Sequence, residues 1–179
     1  MLSKKSSVRR LISVAAITGC AIAGLSVKSW AQSNPGFTLW SGVARENQLN
    51  YYLDYGGQPN GWDRYRFKIP AKKLELGVAQ IAISYPDYFD GKFDTKRVEV
   101  RAKGKKVDIS EVKWDKDNHV IQIELGQPIP AGNSLEIVFS NVKNPAFGGM
   151  YYFNAQVLSP GDVPLPRYVG TWILSIGGS

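Results

Sequence analysis

Asp87, Asp90 and Asp94 place three carboxylates around a turn at Gly91. Calcium takes several oxygen ligands from flexible loops, so it is the metal this stretch suggests. The spacing departs from an EF-hand, because no alternating Asp/Asn run precedes Gly91. A solvated turn, with Phe89 and Phe93 pinning the loop to the domain edge, is the competing reading. The Asp115–Asn118 run offers a second, weaker oxygen cluster and reads first as a hairpin turn. Apart from calcium, the residues suggest no cofactor.

A carboxylate pair suits glycoside hydrolysis. Asp54 and Asp63, flanking an aromatic-rich stretch, are the first choice for such a pair. His119 is the single histidine. A multi-histidine zinc site is therefore impossible, and no Gly-x-Ser-x-Gly elbow accompanies it. Its place beside a turn predicts a surface residue. The inventory points away from enzymes, with an acid-pair hydrolase the chemistry left most open.

Aromatic rings are more suggestive. Tyr51, Tyr52, Tyr55, Trp62 and Tyr65 crowd around the loop from Gly56 to Gly61. Rings with apolar faces and polar edges serve core packing or recognition of sugars and peptides. Tyr52, Tyr55 and Trp62 are the candidate ligand-binding residues. In a strand over 51–55, Tyr51, Leu53 and Tyr55 would share one face, with Tyr52 and Asp54 on the other.

These residues sit on elements with a period of two. Tyr65, Phe67 and Ile69 alternate with charged residues until Pro70. Similar rows follow at Ala79–Tyr85, Val98–Val100, Val112–Trp114, Ile121–Leu125 and Leu135–Phe139, then in longer runs over 150–158 and 168–176. Turn formers separate them. Helical periodicity is limited to short turns near Val43–Asn50 or Ala71–Leu76. Eight or so short strands predict an all-β, single antiparallel immunoglobulin-like sandwich, with a closed barrel as the alternative. Trp40, Trp62, Trp114 and Trp172 are expected to contribute packing without a disulfide.

Residues 1–31 read as a signal peptide and 32–179 as the β-sandwich domain. Lys4, Lys5, Arg9 and Arg10 precede an apolar stretch from Leu11 to Leu25, and Ser29-Trp30-Ala31 is a cleavage pattern before Gln32. The alternative is a lipobox at Ile17-Thr18-Gly19-Cys20, which would leave a lipid anchor on Cys20. The leader carries five of the 22 Lys and Arg and none of the 15 Asp and Glu, so the remainder has a net charge of +2. That ordinary balance removes the case for nucleic acid. No later segment is long and apolar enough to span a bilayer. Export to the periplasm or beyond follows, with an envelope polysaccharide or protein as the partner class.

Three segments carry a resemblance: Tyr65-Arg66-Phe67-Lys68-Ile69-Pro70, the run from Asn144 to Phe153, and Pro160-Gly161-Asp162 through Gly170-Thr171-Trp172. Together they resemble an exported cyanobacterial domain-of-unknown-function family, number 2808. The resemblance spans 32–179 and implies a small secreted or envelope β domain. It brings no established activity and no catalytic residue. The proline-fixed stretch from Pro160 to Pro166 reads first as a crossover between strands and second as a preorganised contact surface, with Arg167 placed to pair with Asp162 or to present a charge to a partner.

Overall fold

The described residues form ten strands, most of them on the alternating rows. They are β1 (Tyr51–Leu53), β2 (Trp62–Ile69), β3 (Val78–Ser84), β4 (Val98–Ala102) and β5 (Lys105–Val107). The others are β6 (Ile109–Asp115), β7 (Val120–Ile129), β8 (Leu135–Lys143), β9 (Gly149–Leu158) and β10 (Pro166–Ile176). A computed structural model describes residues 42–161 and 166–177 of the chain. The expected leader with its two alternative cleavage positions, Trp40 and Asp162 lie outside the described residues.

The strands form two five-stranded antiparallel sheets, ordered β1-β2-β8-β4-β5 and β10-β9-β3-β7-β6. This is the expected immunoglobulin-like sandwich, with the strands divided between two sheets rather than closed into a barrel. The short turns expected in two places are 3-10 helices at Arg45–Asn47 and Ala71–Lys73. A third, at Thr95–Arg97, begins where the Asp94 carboxylate accepts the Lys96 N–H.

Tyr65, Phe67 and Ile69 point inward, as their spacing predicts, and meet Ile137 and Phe139 of β8. Across the layer stand Ile81, Ile83, Ile121, Ile123, Phe153 and Trp172. Phe67 stacks on Trp172 at 4.5 Å between centroids, and the indole N–H donates to the Lys68 carbonyl of the facing sheet at 3.1 Å. A buried indole needs such an acceptor, so this bond fixes how the layers meet. Phe89 and Phe93 are buried in the same cluster and anchor the loop after β3.

The three described tryptophans do not behave alike. Trp172 is buried and Trp114 half-buried, its N–H donating to Tyr85 Oη at 2.7 Å. Trp62, expected in the packing, is 58% exposed. His119 sits partly exposed in the turn between β6 and β7, edge-on to Tyr85 at 5.5 Å and at φ +53°. Arg167 donates Nη1 to the Lys73 carbonyl at 3.1 Å, while its buried Nε and Nη2 have no hydrogen-bond partner among the described residues.

The outer face of the first sheet carries alternating charges from strand to strand. Asp54 meets Arg66 at 2.7 Å, Arg66 meets Glu136 at 4.0 Å, and Glu136 meets Arg101 at 3.6 Å. Arg101 meets Glu99 at 3.1 Å, and Glu99 meets Lys106 at 3.7 Å. Each exposed pair contributes little alone. As a ladder they match the strand register and leave few cations on this face without a counter-charge.

Candidate functional site

Asp63 organises the end of the sandwich where β2 begins. The residue is 1% exposed. Its Oδ1 accepts N–H bonds from Tyr55 at 2.9 Å and Arg64 at 2.7 Å, and its Oδ2 accepts from Gly57 at 2.8 Å. Three donors around one carboxylate replace the water a buried charge would lose. They also fix the turn between β1 and β2, from which Tyr55 projects. Tyr55 is therefore on that turn and not in a strand facing with Tyr51 and Leu53.

A second set of bonds joins this turn to the loop between β8 and β9. Tyr65 Oη donates to Asn144 Oδ1 at 2.5 Å, and Asn144 Nδ2 donates to the Gln58 carbonyl at 2.8 Å. The backbone adds Asn144 N to Gly61 O at 2.8 Å and Asn60 N to Pro145 O at 2.9 Å. Burial and the nearby Asp63 charge push the Tyr65 phenol far above the usual tyrosine range. Tyr65 therefore acts as a fixed neutral donor.

Rings stand out from this framework. Trp62 lies beneath the Lys143 ammonium, 5.4 Å from the ring centroid, and that ammonium also donates to the Asn60 carbonyl. Tyr55 is 62% and Phe147 78% exposed. Tyr88 and Met150 are also exposed, and Tyr88 Oη donates to the Met150 carbonyl at 3.4 Å. Tyr151 Oη holds the Phe147 carbonyl at 2.8 Å, fixing the loop that presents Phe147. Three separate loops thus supply large apolar groups to one end.

The three candidate binding residues are all exposed, but they do not form one row. Tyr52 pairs across from Arg66 on the outer sheet face. Trp62 lies four positions earlier in β2, about 13 Å away along the strand, beyond a register shift between Asp63 and Tyr65. Trp62 and Tyr55 belong to the end; Tyr52 stands beside the charge ladder. Phe147, Tyr88 and Met150 had a sequence signal that alternation does not capture. Each is a large apolar residue in or beside a Gly- or Pro-flanked loop: Tyr88 and Phe147 have no strand face to turn them inward, and Met150 stands on the outer face at the start of β9.

The two carboxylate readings fare differently from the rings. Asp54 is held by Arg66 through two bonds, at 2.7 and 3.0 Å, and Asp63 is occupied by three amides. Both are engaged in holding the β1–β2 turn and its ladder. In the acidic loop, Asp90 accepts the Ala146 N–H at 3.1 Å. Asp94 accepts from Asn141 and from Lys96, each at 3.1 Å. The Asn141 bond, with Lys96 and Arg97 beside it, holds the Asp94 carboxyl below the usual range. Asp87 is exposed. Among the described residues, no three His, Cys, Asp or Glu side chains converge on a common metal position. The loop's carboxylates are turned to separate tasks, two of them capping neighbouring backbone.

A family model described as "Protein of unknown function (DUF2808)" matches residues 37–176. No curated protein sequence matches the chain. Among solved structures, the bacterial hydrophobin BslA shares 15% identity at a TM-score of 0.44, covering 72% of this chain and 94% of that one. The collagen-binding domain of a Staphylococcus aureus adhesin shares 10% at 0.40, covering 72% and 95%. An uncharacterised Nocardia farcinica protein with an immunoglobulin-like fold shares 12% at 0.40, covering 73% and 99%. The match to a structure titled for manganese lipoxygenase and zonadhesin spans 50% of that chain.

Proposed function

The chain belongs to the DUF2808 family of proteins of unknown function, and from that premise we propose a non-enzymatic, exported binding module of the cell envelope or extracellular space. Its contact surface is the aromatic end, and its ligand is a polysaccharide. The carrying observation is the exposure of Trp62, at 58%, on a framework whose buried polar groups are satisfied. A ring held still before binding loses little freedom on contact. Indole and phenol faces suit the apolar faces of sugars, while Asn60, Gln58 and Lys143 stand beside them to meet hydroxyls.

The leader, with cleavage after Ala31, supports export; a lipid anchor on Cys20 is the alternative tether. An acid-pair hydrolase draws no support from Asp54 and Asp63, which are committed to ion pairing and turn formation. No helix among the described residues is long and apolar enough to cross a membrane.

Affinity electrophoresis of the full-length chain in gels containing envelope polysaccharide tests the reading. Retardation is expected, and Trp62→Ala should weaken it about three- to tenfold, as loss of one aromatic contact does. Because Trp62 is largely exposed, its melting temperature should stay near that of the wild type. Unchanged retardation in both Trp62→Ala and Tyr55→Ala would overturn the aromatic end as the contact surface. Mass spectrometry of the exported protein tests the address: a start at Gln32 indicates a free protein, and a lipidated Cys20 a tethered one.

A further inference from the structure

The opposite end of the sandwich carries a cavity of a different character. Where β2 ends and β8 begins, an open hollow of about 570 Å³ is bordered by Arg45–Asn50, the residues following β2, and the β4–β5 turn. Arg45, Lys68, Lys72, Lys73 and Arg101 line it, against two acids, Glu46 and Glu136. Glu136 is already shared between Arg66 and Arg101. Arg45, Lys68 and Lys72 have no ion-pair partner among the described residues. Lys73 is steadied by a bond from Nζ to Asn47 Oδ1 at 3.1 Å.

This excess does not reflect a generally basic domain, since residues after the leader hold 17 cationic and 15 acidic side chains. Cations gathered in a concave site over low-dielectric walls raise the local potential and concentrate anions. The walls contain buried Leu49, Ile69 and Leu135, while Gln48, Asn50 and Ser134 supply amide and hydroxyl groups. Among the described residues no aromatic ring lines the hollow, so nucleobases find no ring there to stack on. Nor, among the described residues, is a large apolar side chain exposed in it to enter a bilayer.

We propose that this cavity binds an anionic oligosaccharide, whose carboxylate or sulfate groups meet Arg45, Lys68 and Lys72 and whose hydroxyls meet Gln48, Asn50 and Ser134. The site is separate from the aromatic end and does not depend on it. β2, with eight residues, runs from one to the other, a span of about 23 Å.

Calorimetric titration of the full-length chain with polygalacturonate, dextran sulfate and neutral dextran tests the proposal. At least one anionic polymer should bind, neutral dextran should bind far more weakly at this end, and affinity should fall as salt rises. Binding of polygalacturonate alone identifies carboxylate as the recognised group, and binding of dextran sulfate alone identifies sulfate. The Lys68→Gln/Lys72→Gln pair should lose about tenfold or more in affinity, as removing two cationic contacts from a polyanion does. Both lysines are exposed, and Arg45→Gln provides an independent variant should the pair fold poorly. Lys96→Gln, an exposed cation at the aromatic end, should leave this binding unchanged. Binding of neither anion, an equal loss in Lys96→Gln, or tighter binding to duplex DNA or anionic lipid vesicles would each overturn it.

Discussion

Asp63 and Tyr65, two residues apart on β2, both point into the protein and both serve the loops rather than chemistry. Asp63 gathers three backbone donors, and substitution by Asn replaces one acceptor oxygen with an amide nitrogen. Asp63→Asn should cost about 1–3 kcal/mol, the price of leaving a buried donor unpaired, measured by urea denaturation at neutral pH. Tyr65 makes a pH-dependent contribution whose sign follows from burial. Its phenol ionises higher in the folded protein than in the unfolded chain, so the folded state retains the proton longer. Stability is fully present below the unfolded value of about 10 and declines as pH rises above it. Urea midpoints should therefore fall above pH 10, and Tyr65→Phe should flatten that decline while lowering stability at neutral pH. A decline equally steep in Tyr65→Phe would assign the alkaline sensitivity to another group. The inward direction of Tyr65 was legible from its alternation with Phe67 and Ile69; that of Asp63, across a register shift, was not. Nor were the bonds they make, because Asn144 and Gly57 reach them only through the tertiary fold.

At the scale of elements, β10 shows how an edge strand is kept from pairing with another chain. Leu49 N donates to Thr171 O at 2.8 Å, Gln48 forms a parallel bridge to Thr171, and Ser175 N donates to Tyr51 Oη at 2.9 Å. This cover leaves no room beside Gly170, which sits at φ +148°. A Cβ there would lie 2.7 Å from both Asn47 O and Leu49 Cγ. Gly170→Ala should cost on the order of 1–3 kcal/mol and speed hydrogen exchange at Leu49 N–H, with little change at Phe67 in the core. Unaltered exchange at Leu49 would show that the cover yields without releasing the edge. Strands such as β2, β7 and β8 were legible because a buried face repeats every second residue. β1 and β5 have three residues each, too few for alternation to identify the full register. The 3-10 helix at Thr95–Arg97 depends on the Asp94 cap, whose other oxygen is held by Asn141 from β8.

Over the whole molecule, the sandwich separates two kinds of surface: rings fixed on three loops at one end, and cations around a hollow at the other. Sites this far apart with no shared partner should act additively. A chain carrying Trp62→Ala with the Lys68→Gln/Lys72→Gln pair should therefore show each single effect undiminished in its own binding measurement. Coupling greater than about 0.5 kcal/mol between them would indicate one continuous site. The sequence by itself determined the near-neutral balance of residues 32–179, the strand alternation and the all-β class, because these follow from composition and from the two faces of a pleated strand. The tertiary structure decided which loops share an end, turning Trp62 outward beneath Lys143 and committing Asp54 and Asp63 to structure. It also gathered Arg45, Lys68, Lys72 and Arg101 from distant segments into one hollow. A period of two assigns a residue to one of two faces; only the packing of the sheets decides what that face meets.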